Sequence, residues 1–185
     1  MATLGRMTTE PGWSFEQVLW QAGIRPVAAV DEAGRGALAG PIVAAAVLLP
    51  EGHYPFRDSK ELDANRRDVL AEEVLAVALR AATGFASAHE VDELGVVPAT
   101  LLAAQRALAT FPRAPVGLVT DYLDLPGPWT VLAPPRADQR SVQAAAASIL
   151  AKTTRDRWMR NMVDPAWPAY GFAQHKGYGV AKHLA

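Results

Sequence analysis

The stretch VAAVDEAGRGALAGPIVAAAV, from Val27 to Val47, is almost entirely small and apolar, yet Asp31 and Glu32 stand side by side at its centre and Gly34-Arg35-Gly36 follows at once. Val27 to Asp31 and Ile42 to Leu49 are short apolar runs bounded by glycine and proline, the pattern of buried strands. Two adjacent carboxylates at the end of such a run cost several kcal/mol unless something compensates them. Neighbouring side chains on a strand point to opposite faces. Asp31 and Glu32 are therefore expected to share a site only if the strand ends or bulges there, a turn that Gly34 and Gly36 would permit.

Working outward, Ser14 begins a helix through about Gln21, with Gln17 as its capping-box partner, and Arg25-Pro26 closes it. Asp63 can cap a helix whose apolar stripe is Val69, Leu70, Val74 and Val77. A third strand is expected over Leu79 to Ser87, a helical turn over Val91 to Leu94, and a helix around Pro98 and the run ATLLAAQRALATF. VGLVTD, Val116 to Asp121, is another strand, and Val131 to Ala133 a short last one. Ser141 caps the long VQAAAASILAKTTRDRWMRNM helix, whose alanines allow close packing. This is an α/β pattern with a mixed sheet. It predicts a flexible tail over residues 1–13 and a single domain over 14–185, without internal repeats.

The chain has 185 residues, half of them hydrophobic and a fifth charged, with a net charge of −1 and no cysteine. That length suffices for one well-filled core. The composition excludes a disulfide framework and a thiolate metal site and fits a cytoplasmic protein. No apolar run reaches a membrane span, so no membrane contact is expected. The near-zero net charge argues against non-specific nucleic-acid binding by the whole surface, while leaving room for a local basic groove.

Other acids close apolar segments too: Asp121 ends its strand, and Asp138 lies beside Arg136 just before a helix cap. Acids at the ends of neighbouring strands meet at one sheet edge, where α/β folds place their chemistry. Four carboxylates without cysteine suit a hard cation, Mg2+ or Mn2+. Two such ions, about 3.5–4 Å apart, would serve hydrolysis of a phosphodiester. An aspartate at a strand end is, taken singly, more often a turn or cap residue than a ligand. By residue type Asp124, Asp156 and Asp164 compete on equal terms, and spacing does not choose among them. The glycines of GRGALAG match a dinucleotide fingerprint poorly, because the third comes one position late and two acids precede the loop. A loop whose backbone approaches a sugar-phosphate chain, with Arg35 supplying positive charge, accounts for them better.

The segment DEAGRG, continuing ALAGPIVAAAV, closely resembles the opening signature of ribonuclease HII, the type 2 ribonuclease H family. The likeness continues through Asp58-Ser59-Lys60, VDELGVVPATLLAAQRAL, Asp121 with Pro126, RAD before AAAASILAKTTRDRWM, and YGFAQHKGYGVAKHL. It implies a ribonuclease H-like mixed five-stranded sheet flanked by helices. It implies Asp31, Glu32, Asp121 and Asp138 as catalytic, metal-binding acids, with Mn2+ or Mg2+ as cofactor. It implies that Gly34, Arg35 and Gly36 contact the ribonucleotide 2′-hydroxyl, the group that tells RNA from DNA, and that Tyr178 stacks beside the ribose at the RNA–DNA junction. Tyr170 is then a packing residue and Asp156 a structural ion-pair partner. Lys60 is expected on the nucleic acid, and Arg35, Lys60, Lys152 and Lys176 near the acids; His175 is expected to be structural.

The implied activity is endonucleolytic hydrolysis of the RNA strand of RNA–DNA hybrids, cutting 5′ to single ribonucleotides embedded in duplex DNA, by a monomer serving ribonucleotide excision and primer removal. Tyr122, where the family commonly has glycine, Gly95, where asparagine is common, and Arg136-Ala137-Asp138, where Lys-Gly-Asp is frequent, put geometry in question while keeping each carboxylate. Two rivals stand beside this reading: another metal-dependent nuclease on the same fold, and a non-catalytic junction-binding module. Four acids argue against the second, since binding a polyanion gains nothing from them.

Overall fold

The computed structural model describes residues 10–184. Five strands form one sheet in the order β3-β2-β1-β4-β5. They are β1 (Val27–Ala33), β2 (Ile42–Leu48), β3 (Arg80–Ala86), β4 (Gly117–Thr120) and β5 (Thr130–Leu132). β1, β2 and β3 run antiparallel in sequence, whereas β1–β4 and β4–β5 are parallel, so the sheet is mixed as expected. The first helix, α1 (Ser14–Gln21), leads into β1.

One face carries α4 (Val96–Ala109), and the other α2 (Ala64–Val77) and α5 (Val142–Trp158). Alanine is what lets these layers close up. Ala99, Ala103, Ala104 and Ala107 of α4 are fully buried against Ala28, Val30, Ala44 and Ala46. A β-carbon at Gly84 of β3 would stand 2.1 Å from the Ala103 carbonyl oxygen, so glycine is required for this approach. α5 is buried along nearly its whole length between sheet and α2, which explains why its sequence shows no clean apolar stripe.

Several boundaries differ from the sequence expectation. Trp13, not Ser14, is the N-cap of α1, and no side chain caps it. Gly12 and Trp13 are tied to the body: Val142 donates to the Gly12 carbonyl at 2.8 Å, and the Trp13 indole to that of Gly52 at 2.8 Å. Residues 1–9 of the expected tail lie outside the described residues. The turn expected at Val91 to Leu94 is a longer helix, α3 (Ala88–Leu94), with a full Ser87–Glu90 capping box. The long helix widens into a π-type turn over Met159–Val163.

β1 does not bulge at the acids, and it ends one residue beyond them, at Ala33 before Gly34. Asp31 pairs with Ala45, Glu32 with Ala44 and Ala33 with Val43 in unbroken register. The two carboxylates therefore leave opposite faces, Asp31 on the α5 side with Ala33, Glu32 on the α4 side with Val30. They meet other acids because the edge lies there, not because the strand turns.

Candidate metal and nucleic-acid site

Val30 pairs with Thr120, so Asp31 and Asp121 follow one residue beyond the same rung of two parallel strands. Asp121 accepts from the Ala137 amide at 3.3 Å, which ties it to the Ala137–Gln139 turn that carries Asp138. Ser141 caps α5 by accepting from the Ala144 amide at 3.0 Å and fixes where that turn ends. Four carboxylates from three segments thus lie at one sheet edge.

Asp31 and Asp138 are buried, and Glu32 and Asp121 are partly so. Asp31 is 6 % exposed and Asp138 1 %. Burial, the charges of Glu32 and Asp138 holding in the same direction, pushes the Asp31 carboxyl well above its ordinary 3.8, against hydrogen bonds from Ser148 and the Glu32 amide. Burial raises Glu32 as well, with Asp121 adding and Arg35 opposing. Burial raises Asp138, with Asp58 and Asp121 adding and Lys60 opposing. Glu32 Oε1 accepts from Arg35 Nη1 at 3.1 Å, while its buried Oε2 has no partner.

Two cations stand in for the missing positive charge. Arg35 pairs with Glu32, and Lys60 Nζ lies 3.4 Å from Asp138 and 4.0 Å from Asp58. Against the cost of burial, Asp138, Asp58 and Asp31 keep the Lys60 ammonium above its ordinary 10.5. Asp58 is a further, buried acid beside these that sequence reasoning did not single out; its side chain also accepts from the Lys60 amide at 2.9 Å and from Gln139 at 3.4 Å.

The oxygen-only donor set and the orphaned Glu32 oxygen fit a hard divalent cation. Among the described residues, however, no three His, Asp or Glu side chains are close enough to share an ion in this conformation. One or two carboxylates with water or phosphate oxygens suffice for such an ion.

The glycine loop is locked to the segment carrying Tyr178. Leu38 donates its amide to the Gly177 carbonyl at 2.8 Å, and Ala37 forms a bridge with Tyr178. The lock is Arg155, fully buried on α5. Its guanidinium donates to the carbonyls of Pro41 at 2.8 Å, Ala39 at 3.0 Å and Lys176 at 2.9 Å, and lies 5.2 Å from the Tyr178 ring centroid. Sequence reasoning missed Arg155, because an arginine in a polar, charged run (Lys152 to Arg157) on a helix resembles a solvated surface residue.

The two glycines of the loop separate here. Gly34 has φ +111°, and a β-carbon on it would meet Arg155 Nε at 2.5 Å and the Pro41 carbonyl at 2.7 Å. Internal packing alone therefore requires glycine at this position. Gly36 has open space around its missing β-carbon.

The rival aspartates go elsewhere. Asp124 is exposed, Asp164 accepts from the Ala173 amide at 2.7 Å, and Asp156 pairs with Lys152 at 2.7 Å and Arg67 at 3.7 Å. Lys152 and Lys176, expected near the acids, lie instead in a separate cavity beside Tyr178. Tyr170, more than half exposed, stacks on Phe172, and both His175 ring nitrogens are used, with the Tyr170 carbonyl and the Gly177 amide. Tyr122 follows Asp121 with φ 56°, a left-handed backbone that glycine would adopt more easily; it is 76 % exposed.

A ribonuclease H-type sheet with acids at the shared edge of its parallel strands defines a hydrolytic, metal-binding endonuclease. The comparisons with known proteins agree. The family model for ribonuclease HII matches residues 28–185, and the chain belongs to that family. It is 59 % identical to a ribonuclease HII of Thermus thermophilus over 169 residues, covering 91 % of this chain and 82 % of that one. Among solved structures it resembles the ribonuclease HII in a PCNA complex from Archaeoglobus fulgidus, with TM-score 0.72, 25 % identity, and 86 % and 83 % of the two chains covered. It shares the fold of a Bst ribonuclease HIII solved with Mn2+, with TM-score 0.63 at 20 % identity over 76 % of this chain and 54 % of that one.

Proposed function

We propose that this endonuclease hydrolyses the RNA strand of RNA–DNA hybrids and cuts 5′ to single ribonucleotides embedded in duplex DNA, leaving 3′-hydroxyl and 5′-phosphate ends. The observation that carries the reading is the set of under-compensated carboxylates next to a glycine loop that Arg155 fastens to the Tyr178 segment. Asp31, Glu32, Asp121 and Asp138 would hold Mg2+ or Mn2+, and two such ions supply Lewis acidity for phosphodiester hydrolysis.

The chain's own residues do the rest. Lys60 and Arg35 neutralise the acids when no ion is bound, and would turn to substrate phosphate when released. Open space at Gly36 leaves the backbone accessible to a ribose, and the Tyr178 ring, held by its link to Ala37, offers a surface beside it. Phosphate contacts cannot distinguish the sugars, so these two features carry that discrimination. The protein would act as a monomer.

A duplex bearing one ribonucleotide tests the reading directly, with Mg2+, Mn2+ or chelator. Cleavage 5′ to the ribonucleotide with either ion and none with chelator is expected. Cleavage of plain DNA at a comparable rate would indicate a general nuclease instead. Tyr178→Ala should weaken cutting at the isolated ribonucleotide more than within a continuous RNA tract, and Tyr170→Ala should not.

A further inference from the structure

Beside Tyr178, away from the acids, opens a cavity of about 430 Å³ whose wall includes Arg67, Lys152, Asp156, Arg160, Lys176 and Tyr178. Its charge is not balanced locally. Asp156 is engaged by Lys152 and Arg67. Asp68, also on the wall, is engaged from outside it by Arg157 at 3.0 Å. Lys176 Nζ meets only the carbonyls of Ala173 and Gln174, and Arg160 has no ion pair or hydrogen bond among the described residues. Two cations are therefore left over on one concave surface of a chain whose net charge is −1.

Their position is set by the same elements that hold the glycine loop. Lys176 sits in a left-handed turn, φ 54°, directly before Gly177-Tyr178, and its carbonyl is one of the three that Arg155 grips. Lys152 Nζ lies 4.8 Å from the Tyr178 ring centroid. Burial lowers the Lys176 ammonium from its ordinary 10.5; the positive charges of Arg160 and Lys152 add to this, and Asp156 and, less strongly, Asp164 oppose it. Crowded cations of this kind are relieved by an anion.

We propose that this cavity seats a backbone phosphate of the duplex flanking the cleaved position, with Arg160 and Lys176 as its contacts and Lys152 joining it to the Tyr178 ring. The inference rests on the proposed nucleic-acid substrate. A phosphate seat reads neither base nor sugar; it adds affinity and fixes register alike on ribonucleotide-bearing and all-DNA duplexes. The acid edge and the Tyr178 ring then select, while the basic cavity holds.

The test uses the full chain in chelator, so that no cleavage occurs. Binding to two duplexes, identical except for one ribonucleotide, is measured from about 50 to 200 mM salt, the range over which phosphate contacts show their salt dependence. Arg160→Gln and Lys176→Gln should each lower affinity several-fold on both duplexes. Together they should flatten the slope of log K against log salt by about 0.9, the amount for one phosphate. Arg113→Gln, which removes a charge from a different cavity lined by Pro26 and Pro115, should change the slope less. Melting temperatures identify any variant that fails to fold, and Arg160 on its exposed turn provides the conservative case.

Slopes like the wild type's for both variants, or like the Arg113→Gln control's, overturn the proposal. So does a loss confined to the ribonucleotide-bearing duplex, which would make the cluster a sugar reader. Inorganic phosphate that stabilises the wild type but not Arg160→Gln, with duplex binding equal in both, would mean a free-anion site and overturn it too. Failure of the wild type to bind either duplex would overturn the proposed substrate itself.

Discussion

Arg155 and the acid edge both bury charge, yet they are built in opposite ways. Arg155 is enclosed completely, and its guanidinium meets three backbone carbonyls from two loops. The carboxylates of Asp31, Glu32 and Asp138 are buried almost as deeply, but one oxygen of Glu32 is orphaned and all three acids are pushed above their ordinary pKa values, chiefly by burial. A buried charge with all its partners is a structural device. A buried charge left short of partners is a binding site in waiting, because native interiors rarely tolerate such a deficit without a use for it.

Substitution at the acids should show the largest effect, and in activity alone. Asp31→Asn or Asp138→Asn should lower cleavage of a single-ribonucleotide duplex by about 10³-fold or more, in line with the several kcal/mol that Lewis-acid stabilisation supplies. In chelator the same proteins should melt at the wild-type temperature or above it, since a repelling charge has been removed. Asp156→Asn and Asp124→Asn should keep most activity. Near-wild-type cleavage by both Asp31→Asn and Asp138→Asn would end the contrast.

Arg155→Met sharpens the other side. It strands the carbonyls of Ala39, Pro41 and Lys176, each orphan costing about 1–3 kcal/mol. A loss of roughly 3 kcal/mol or more in denaturant unfolding is expected, with or without metal. Arg155→Lys should not rescue it, because an ammonium cannot span three acceptors as the planar fork does. A loss under about 1 kcal/mol would mean that the loops hold each other without Arg155.

The glycine pair divides along the same line on a smaller scale. Gly34→Ala forces a β-carbon into Arg155 and the Pro41 carbonyl at φ +111°, and should cost about 2 kcal/mol of stability. Gly36→Ala has free space and should unfold within about 0.5 kcal/mol of the wild type. Its defect should appear in cleavage at an isolated ribonucleotide. Equal stability losses at the two glycines would contradict their separate roles.

Much of this was legible in the sequence. The apolar runs ending in Asp31-Glu32 and in Asp121 gave strands whose acid ends share an edge, and the mixed sheet followed from element order. The Ser87–Glu90 capping box was visible as S-x-x-E, yet the helix was expected only from Val91 because its face is short and polar. The convergence of Asp31 and Glu32 was attributed to a strand end or bulge; β1 does end just beyond them, at Ala33, but in regular register, and tertiary neighbours bring Asp121 and Asp138 to it. Arg155 and the basic cavity were hidden for one physical reason. Which of Arg155, Lys152, Arg160 and Lys176 is enclosed depends on how the π-type turn at Met159–Val163 folds the following segment back onto the Gly34 loop, and no local pattern encodes that.

The most direct test of the central claim is the melting temperature between pH 5 and pH 8, in chelator and in Mn2+. Asp31, Glu32 and Asp138 have folded pKa values raised above the ordinary 3.8 and 4.5. Between those values and the raised ones the folded chain holds protons that the unfolded chain has released. Their stabilising contribution is complete below the ordinary values and is lost as pH rises through the raised ones. Buried Glu16, held between Ser141 and Gln143 and also raised by burial, has the same sign but lies apart from the acids, so Glu16→Gln should flatten the slope equally in both conditions. Through these acids the wild type in chelator should therefore melt lower at pH 8 than at pH 5. Because Mn2+ competes with those protons, its stabilising increment should be several degrees at pH 8, smaller at pH 5, and absent in Asp31→Asn. An increment that is missing, or independent of pH, or intact in Asp31→Asn would show that the acid edge is not a cation site.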